Sequence, residues 1–441
     1  MRVGIIGGGA AGMGAAYELA LLGHQPFVFE QAPFLGGQAS TFQVGGAPLE
    51  RAYHHLFRSD TAITGVMKEL GLEDRLQWID SNVAYFHGER IWRFTTPPDL
   101  LRFGPLPVYD RLRLGLLTLR LQRLKDWHSL EQETAAEWTR RHAGEHIYRT
   151  IFEPMLRGKF GSYYDQVSMA WLWNKFALRT TSRKGLRQRE QLGYPMGSFD
   201  QVFDAMAQHV RQHGGEVHAG VAVEQVAVED GRVAGLVLKT PQGGSERREM
   251  DMVIATVPSF VLPRLVPPLP SAYQDKLNRA VYLAAVLVVL VLDRPLTSAY
   301  WMYVGDRSLP FLGVIEHTNL ISAEHYGGNH IVYLANYLEK GERLYSLSAE
   351  ELFQEYLPHL KRLNPAFDPS WVREYHYHRE DAAQPVVTRD YSQHIPPHQT
   401  PIPGLYLANT TQIYPEDRGT NYSIRLGRAV AQLVHIAAAK S

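Results

Sequence analysis

Three glycines set the first chemical expectation. Gly7, Gly9 and Gly12 stand in the spacing GxGxxG directly after the apolar run Val3 to Ile6. After a strand, that spacing permits a tight turn at Gly7, lets the backbone at Gly9 approach a pyrophosphate, and lets helix and strand pack closely at Gly12. A helix opened by Ala10 and Ala11 then aims its unpaired N–H groups at the anion. Ala15, Ala16, Leu19, Ala20 and Leu22 recur at helical spacing, Gly23 stops that helix, and Pro26 to Glu30 reads as a second strand ending in an acid. Glu30, 18 residues beyond Gly12, is placed to accept hydrogen bonds from a ribose diol. The positioning element is therefore a βαβ unit, and the predicted fold class is α/β.

Composition limits the other chemistry. The chain has 441 residues, 45 Lys plus Arg against 45 Asp plus Glu, 45% hydrophobic residues and no cysteine. That length supports several structural units and a large core. A balanced charge argues against nucleic acid as a partner. Without cysteine there is no disulfide, Fe–S cluster, thiolate metal site or cysteine nucleophile. The 19 histidines include His54-His55, but none falls in a metal-ligand spacing, so no metal is expected. The start MRVGIIGGG lacks a secretory pattern, making the cytoplasm the expected compartment. Val281 to Leu292 is too short for the ~20 residues a bilayer span needs, and reads as a buried strand.

Residues 31–38 sharpen the nucleotide. Glu30 and Gln31 are followed by Gly36, Gly37 and Gln38. This resembles the extended motif of FAD-binding proteins of the glutathione reductase type. Many of those have Arg after the glycine pair; with Gln38 here, pyrophosphate binding is expected to lean on backbone amides.

Two later segments extend the resemblance. GYPMGSFDQVFDAMAQHVRQHGGEVHAGVAVEQV, from Gly193, places Phe199, Val202, Phe203, Met206 and Val210 on one side of a helix. It resembles the middle FAD segment of the amine oxidase and protoporphyrinogen oxidase superfamily, with phytoene desaturases and UDP-galactopyranose mutases as cousins. There the backbone at the position of Val223 meets adenine. IPGLYLANTTQIYPEDRGTNYSIRLGRAVAQLV, near the C-terminus, resembles the same superfamily's closing motif. The resemblance implies that Gly419, Thr420, Asn421 and Tyr422 approach the flavin, with Asn409 in place of the usual acid.

The resemblance implies a noncovalent FAD oxidoreductase that transfers hydride from a largely apolar organic substrate to flavin N5. Its implied architecture is a Rossmann-like FAD-binding domain interleaved with a mixed-sheet substrate domain and a helical lobe. The expected partition is FAD-binding in 1–95, helical lobe in 96–190, FAD-binding in 191–260, substrate sheet in 261–385 and FAD-binding in 386–441. The comparable start of the long substrate-domain strand, Tyr282-Leu-Ala-Ala-Val, lacks the lysine of many amine oxidases. A redox-neutral mutase acting on a sugar nucleotide is the alternative, and a flavin-stabilised binding protein a third reading.

Candidate catalytic residues are Arg157, Lys159 and Tyr422, and candidate pocket residues are Trp173, Trp301, Tyr303, Arg418 and Arg425. Arg418 and Arg425 flank the proposed flavin-facing turn. The 100–127 region carries Arg102, Arg111, Arg113, Arg120, Arg123 and Lys125 among leucines. It reads as a lobe helix with a solvated basic face, or as a contact with the inner face of a membrane.

Overall fold

The computed structural model describes residues 1–181, 190–240 and 243–440. The end of the expected helical lobe, 182–189, lies outside them. Val3, Ile5 and Val28 are buried to the last atom, as a strand covered on both faces requires. They belong to a five-stranded parallel sheet in the order Leu405–Leu407, Met252–Ala255, Arg2–Ile6, Gln25–Glu30 and Glu216–Ala219. Three distant stretches of chain thus build one sheet.

One face of this sheet is covered by helices. The first, Ala10–Leu21, is buried almost all round, because Asp200–Gln212 and the closing helix Thr420–Ala438 pack on it. A Cβ on Gly427 would come 2.0 Å from the Ala11 carbonyl oxygen, and one on Gly14 would come 2.8 Å from that of Ile424. Glycine at both positions lets the two backbones touch. The other face packs on a three-stranded antiparallel sheet through Phe27, Phe29, Val226, Leu236 and Val253.

The second large sheet has seven strands, in the order Val372–Pro385, Tyr282–Leu292, His330–Leu338, Gly313–Glu316, Trp301–Val304, Val83–Phe86 and Ile91–Arg93. Most pairings are antiparallel, but Trp301–Val304 runs parallel to Val83–Phe86. The strand Tyr282–Leu292 is buried over ten of its eleven residues, as its apolar run predicts. Two strands from the 1–95 segment also lie in this sheet, where Ala84 and Phe86 join its core.

Between Pro97 and Thr181 the chain is helical around Phe103, Leu114, Leu121, Trp138, Phe152 and Trp171. The basic region is two helices, Pro97–Leu101 and Val108–Arg123, rather than one. Gly104-Pro105-Leu106-Pro107 separates them, since neither proline can donate to a helical ladder. Among the described residues no helix is long and apolar enough to cross a membrane.

Candidate functional site

The first glycine turn forms a cradle. Gly7 has φ +106°, and a Cβ on Gly12 would lie 1.9 Å from the Gly7 carbonyl oxygen. Gly9 caps the first helix without a side chain to occupy its N–H groups. Gly36 donates its N–H to Gly8 at 2.9 Å, and a Cβ on Gly37 would come 3.1 Å from the Gly9 Cα. Two backbone stretches thus face each other with only glycine between them, as close approach of a pyrophosphate requires.

Glu30 accepts from the N–H of Gly8 at 2.7 Å and of Ala32 at 2.8 Å. A carboxylate offers about four acceptor sites, so capacity remains for a diol. Gln31, next along, is exposed. The Gly220 and Val221 N–H groups bond to Ala32 and Glu30 carbonyls, both at 2.8 Å, which brings the strand opened by Val223 to the same end of the sheet.

At the closing segment two side chains serve architecture. Asn409 is buried; its Nδ2 donates to the Val257 carbonyl and Ser259 Oγ, and its Oδ1 accepts from Thr411. Both ends of this side chain are therefore spent inside the protein. Asn421 Oδ1 accepts from the N–H groups of Ala62 at 2.9 Å and Ile63 at 3.2 Å, supplying the helix Thr61–Glu69 with the cap that Asp60 does not. Gly419, Thr420, Asn421 and Tyr422 open the closing helix, whose first N–H groups and positive end face outward from it.

A second cluster gathers around Arg418. Its guanidinium donates to Gln38 Oε1 at 2.8 Å, to Gln384 Oε1 at 3.1 Å and to the Tyr337 hydroxyl at 2.9 Å. Gln38 also donates to the Ala382 carbonyl. Gln38 is therefore linked to an arginine distant in the chain. Asp417, buried, accepts from Lys159 at 2.9 Å, from Lys175 and from Trp171 Nε1 at 3.2 Å. Burial alone would raise this carboxyl, but Lys159, Lys175 and Arg418 outweigh it and hold it well below the usual carboxylate range.

Aromatic rings complete the site. Tyr53 lies 4.9 Å from Trp301 edge-on, Trp301 lies 5.7 Å from Tyr303, and the Tyr53 and Tyr337 hydroxyls are 3.5 Å apart. All four rings keep partial exposure among buried strand neighbours, so they are the aromatic residues here that a bound molecule could reach, and they are taken as the wall of a candidate cleft. Burial would raise the Tyr337 phenol, yet Lys159, Arg418 and the Tyr53 hydroxyl bring it down to about 8. Tyr53 is pushed the other way by burial and by Tyr337.

The expected pocket residues separate into two groups. Lys159, Arg418, Trp301 and Tyr303 come together. Arg157 instead donates to Glu153 at 2.9 Å and lies over Tyr164. Trp173 Nε1 donates to the Leu121 and Leu124 carbonyls within the helical region. Arg425 bonds Glu416 at 2.6 Å and covers the ring of Tyr422. His54 Nδ1 lies 2.6 Å from the Ala52 carbonyl, and burial lowers its imidazole to about 4; His55 pairs with the Tyr300 hydroxyl at 2.9 Å.

Sequence reasoning missed Tyr53, Tyr337, Gln384 and Asp417. For Tyr337 a signal existed: in His330–Leu338, Tyr333, Ala335 and Tyr337 share one face of a strand, and the last falls at its end. Asp417 had none beyond its place beside Arg418.

Behind the cleft, the Glu50 carboxylate is buried and accepts from Tyr194 Oη and the Phe199 N–H, both at 2.9 Å. Burial raises it to about 7. Its carbonyl accepts from the Tyr333 hydroxyl, so one residue ties the glycine-rich segment, the middle segment and the seven-stranded sheet.

A glycine cradle with its ribose acid, joined through Gln38 and Arg418 to an aromatic cleft, is the layout of a dinucleotide-dependent oxidoreductase. The chain belongs to the family of flavin containing amine oxidoreductases, which matches it over residues 10–435. It is accordingly an FAD enzyme of the oxidoreductase class, and the cradle fits that cofactor. It is similar to 15-cis-phytoene desaturase of Narcissus pseudonarcissus, 24% identical over 447 residues, covering 94% of this chain and 76% of the relative. Its fold is shared with reduced UDP-galactopyranose mutase, at TM-score 0.74 and 16% identity, covering 99% of this chain and 96% of the other. Cyclohexylamine oxidase from Brevibacterium oxydans IH-35A gives TM-score 0.73 at 16% identity and 99% coverage of both chains.

Proposed function

We propose that this enzyme oxidises a largely apolar organic substrate by removing hydride, in the manner of a desaturase. The observation that carries the reading is the pairing of aromatic walls with fixed cations. Tyr53, Trp301, Tyr303 and Tyr337 supply an apolar wall, while Arg418 and the Lys159–Asp417 and Lys175–Asp417 pairs lie at its end with the cations in excess. A protonated amine would meet like charge there. The strand Tyr282–Leu292 also carries no lysine.

FAD, when bound, supplies the two-electron acceptance. The glycine cradle and Glu30 would hold its pyrophosphate and ribose, and the opening turn of the closing helix would stabilise negative charge on its ring. The protein's own part is to orient the substrate in the aromatic cleft and exclude water. Arg157 and Arg425 are engaged by Glu153 and Glu416, so they do not converge on Arg418 as a diphosphate clamp for a mutase would need.

The five-stranded sheet and its helices form the FAD-binding domain in this reading, assembled from 1–95, 191–260 and 386–441. Strands Val83–Phe86 and Ile91–Arg93 pass to the substrate side with 261–385, and 96–190 forms the helical lobe. The lobe also docks on an anionic lipid surface through the outer face of Val108–Arg123. Val108, Tyr109, Leu112 and Leu116 are each more than half exposed there, with Arg120 and Arg123 in the last turn.

The test mixes purified yellow protein anaerobically with 15-cis-phytoene in liposomes, with cyclohexylamine, and with NADPH. Bleaching of the flavin band by phytoene alone is expected. Faster bleaching by cyclohexylamine would overturn the apolar-substrate reading, and bleaching by NADPH would favour a reductase or a reduction-activated mutase.

A further inference from the structure

Tyr337 ends the strand His330–Leu338 at the cleft, where charged groups meet it from every side. Arg418 donates to its hydroxyl at 2.9 Å and lies 5.7 Å from its ring centroid. Lys159, from the helix Glu153–Phe160, places Nζ 5.0 Å from the same ring. The Tyr53 hydroxyl is 3.5 Å away, and Tyr303 acts electrostatically on Tyr53 from the strand Trp301–Val304, two places along the same sheet. The opposing charge is Asp417, which Lys159 and Lys175 share. Glu380, raised by burial, faces Arg418 from the edge strand. Counting Lys159, Lys175 and Arg418 against Asp417, the immediate cluster carries surplus positive charge.

Two phenols in such a field do not behave alike. Tyr337 receives a charge-assisted hydrogen bond, which favours its ionised form, whereas Tyr53 next to it is held neutral. The two hydroxyls are 3.5 Å apart, and the second member of the pair is adjacent to two cations. That is the arrangement of a general base able to work near neutral pH.

We propose that Tyr337 is the proton-accepting residue of this site, its oxygen taking the proton that leaves a substrate carbon when hydride departs to FAD. The inference rests on the desaturase reading for its substrate. In that reaction one C–H bond breaks with its electron pair going as hydride to FAD, which is reduced by two electrons. The neighbouring C–H bond breaks with its proton going to the Tyr337 phenolate oxygen, and the electron pair left behind becomes the new π bond. The phenol returns its proton to solvent before the next turnover, and Tyr53 is the positioning residue that supports the ionised partner.

The decisive experiment has two readouts on holoenzyme. Ultraviolet difference titration of the wild type, Tyr337→Phe and Tyr53→Phe proteins follows tyrosine ionisation, and the pH dependence of anaerobic flavin reduction follows the chemical step. One tyrosine titrating near pH 8 is expected in the wild type, where Tyr337 is held down to about 8, and none in Tyr337→Phe. Tyr53→Phe should move that titration alkaline by ~1 pH unit. The rate should rise through the same pH in the wild type and lose that limb in Tyr337→Phe, with flavin content unchanged. Survival of the titration in Tyr337→Phe overturns the inference, and so does an unchanged pH limb. Should cyclohexylamine rather than phytoene bleach the flavin, the desaturase reading fails by itself, and the Tyr337 comparison is read on the amine reaction with the same two outcomes.

Discussion

Gly427 lies against Ala11 so closely that a Cβ on it would meet the Ala11 carbonyl oxygen at 2.0 Å and the Ala15 nitrogen at 2.9 Å. Both of those atoms are backbone in the helix that opens the cofactor cradle, and neither can swing aside as a side chain would. Gly427→Ala must push the two helices apart. Overpacking of this kind costs typically 1 to 3 kcal/mol. Thermal unfolding should show a lowered Tm, and the variant should retain less FAD than wild type after gel filtration.

Asn421 gives a milder prediction. Its side chain caps Thr61–Glu69 rather than contributing a charge, so Asn421→Ala should cost about 1 kcal/mol in urea unfolding. Asn421→Asp, which keeps the acceptor oxygen, should recover most of that. Equal loss in both variants would show that the amide nitrogen matters instead.

Glu50 should make the fold prefer mild acid. Its folded pKa is raised to about 7, above its unfolded value, so between the two the native state binds more protons than the unfolded chain. Its contribution is complete below the unfolded value, near about pH 4.3, and is lost as pH rises through about 7. The loss is on the order of 3 kcal/mol. Glu316, buried and also raised to about 7, adds to the same trend. Glu50→Gln should flatten a large part of the decline in a pH series of urea midpoints, and an unaltered slope would refute the assignment.

The outer face of Val108–Arg123 should bind vesicles containing anionic lipid and release them in high salt. Leu112→Glu with Leu116→Glu should abolish sedimentation while leaving Tm within about 1 °C, because both side chains already face solvent. The buried face of the same helix, Leu114, Leu117 and Leu121, is untouched by these changes.

The sequence made the glycine turn legible because such a turn resides in local backbone geometry. A turn that tolerates only glycine at Gly7 and Gly12 leaves a spacing that can be read without any neighbour. The closing helix was legible for a similar reason: of the period Ile424, Leu426, Val430 and Leu433 that the sequence offers, the first three are buried, while Leu433 is exposed and Val434 takes the inward place. The aromatic and charged cluster was legible only in part. Lys159, Trp301, Tyr303 and Arg418 stood among the candidates, but Tyr53, Tyr337, Gln384 and Asp417 come from four other stretches, and only the folded sheet brings them into contact. Gln38 was visible as a departure from a motif, but its partner Arg418 lies 380 positions away. Arg157 and Lys159 show the limit most sharply. Two residues apart on one helix, one faces Glu153 and the other Asp417, a difference of rotation that composition does not carry.

The parallel sheet has a consequence for how the polypeptide reaches its native state. Arg2–Ile6 is the central strand, yet its partner Met252–Ala255 lies about 250 positions downstream, and that strand's other neighbour is Leu405–Leu407. During synthesis Arg2–Ile6 leaves the ribosome with one edge unsatisfied, and about 250 further residues must follow before that edge can pair. Such non-local pairing makes folding slow and exposes strand edges on the way. The helix Thr420–Ala438, which packs on the helix behind the glycine turn, is made some 400 residues after that turn, so a chain interrupted after residue 400 would expose a face of Ala10–Leu21 that the native state covers.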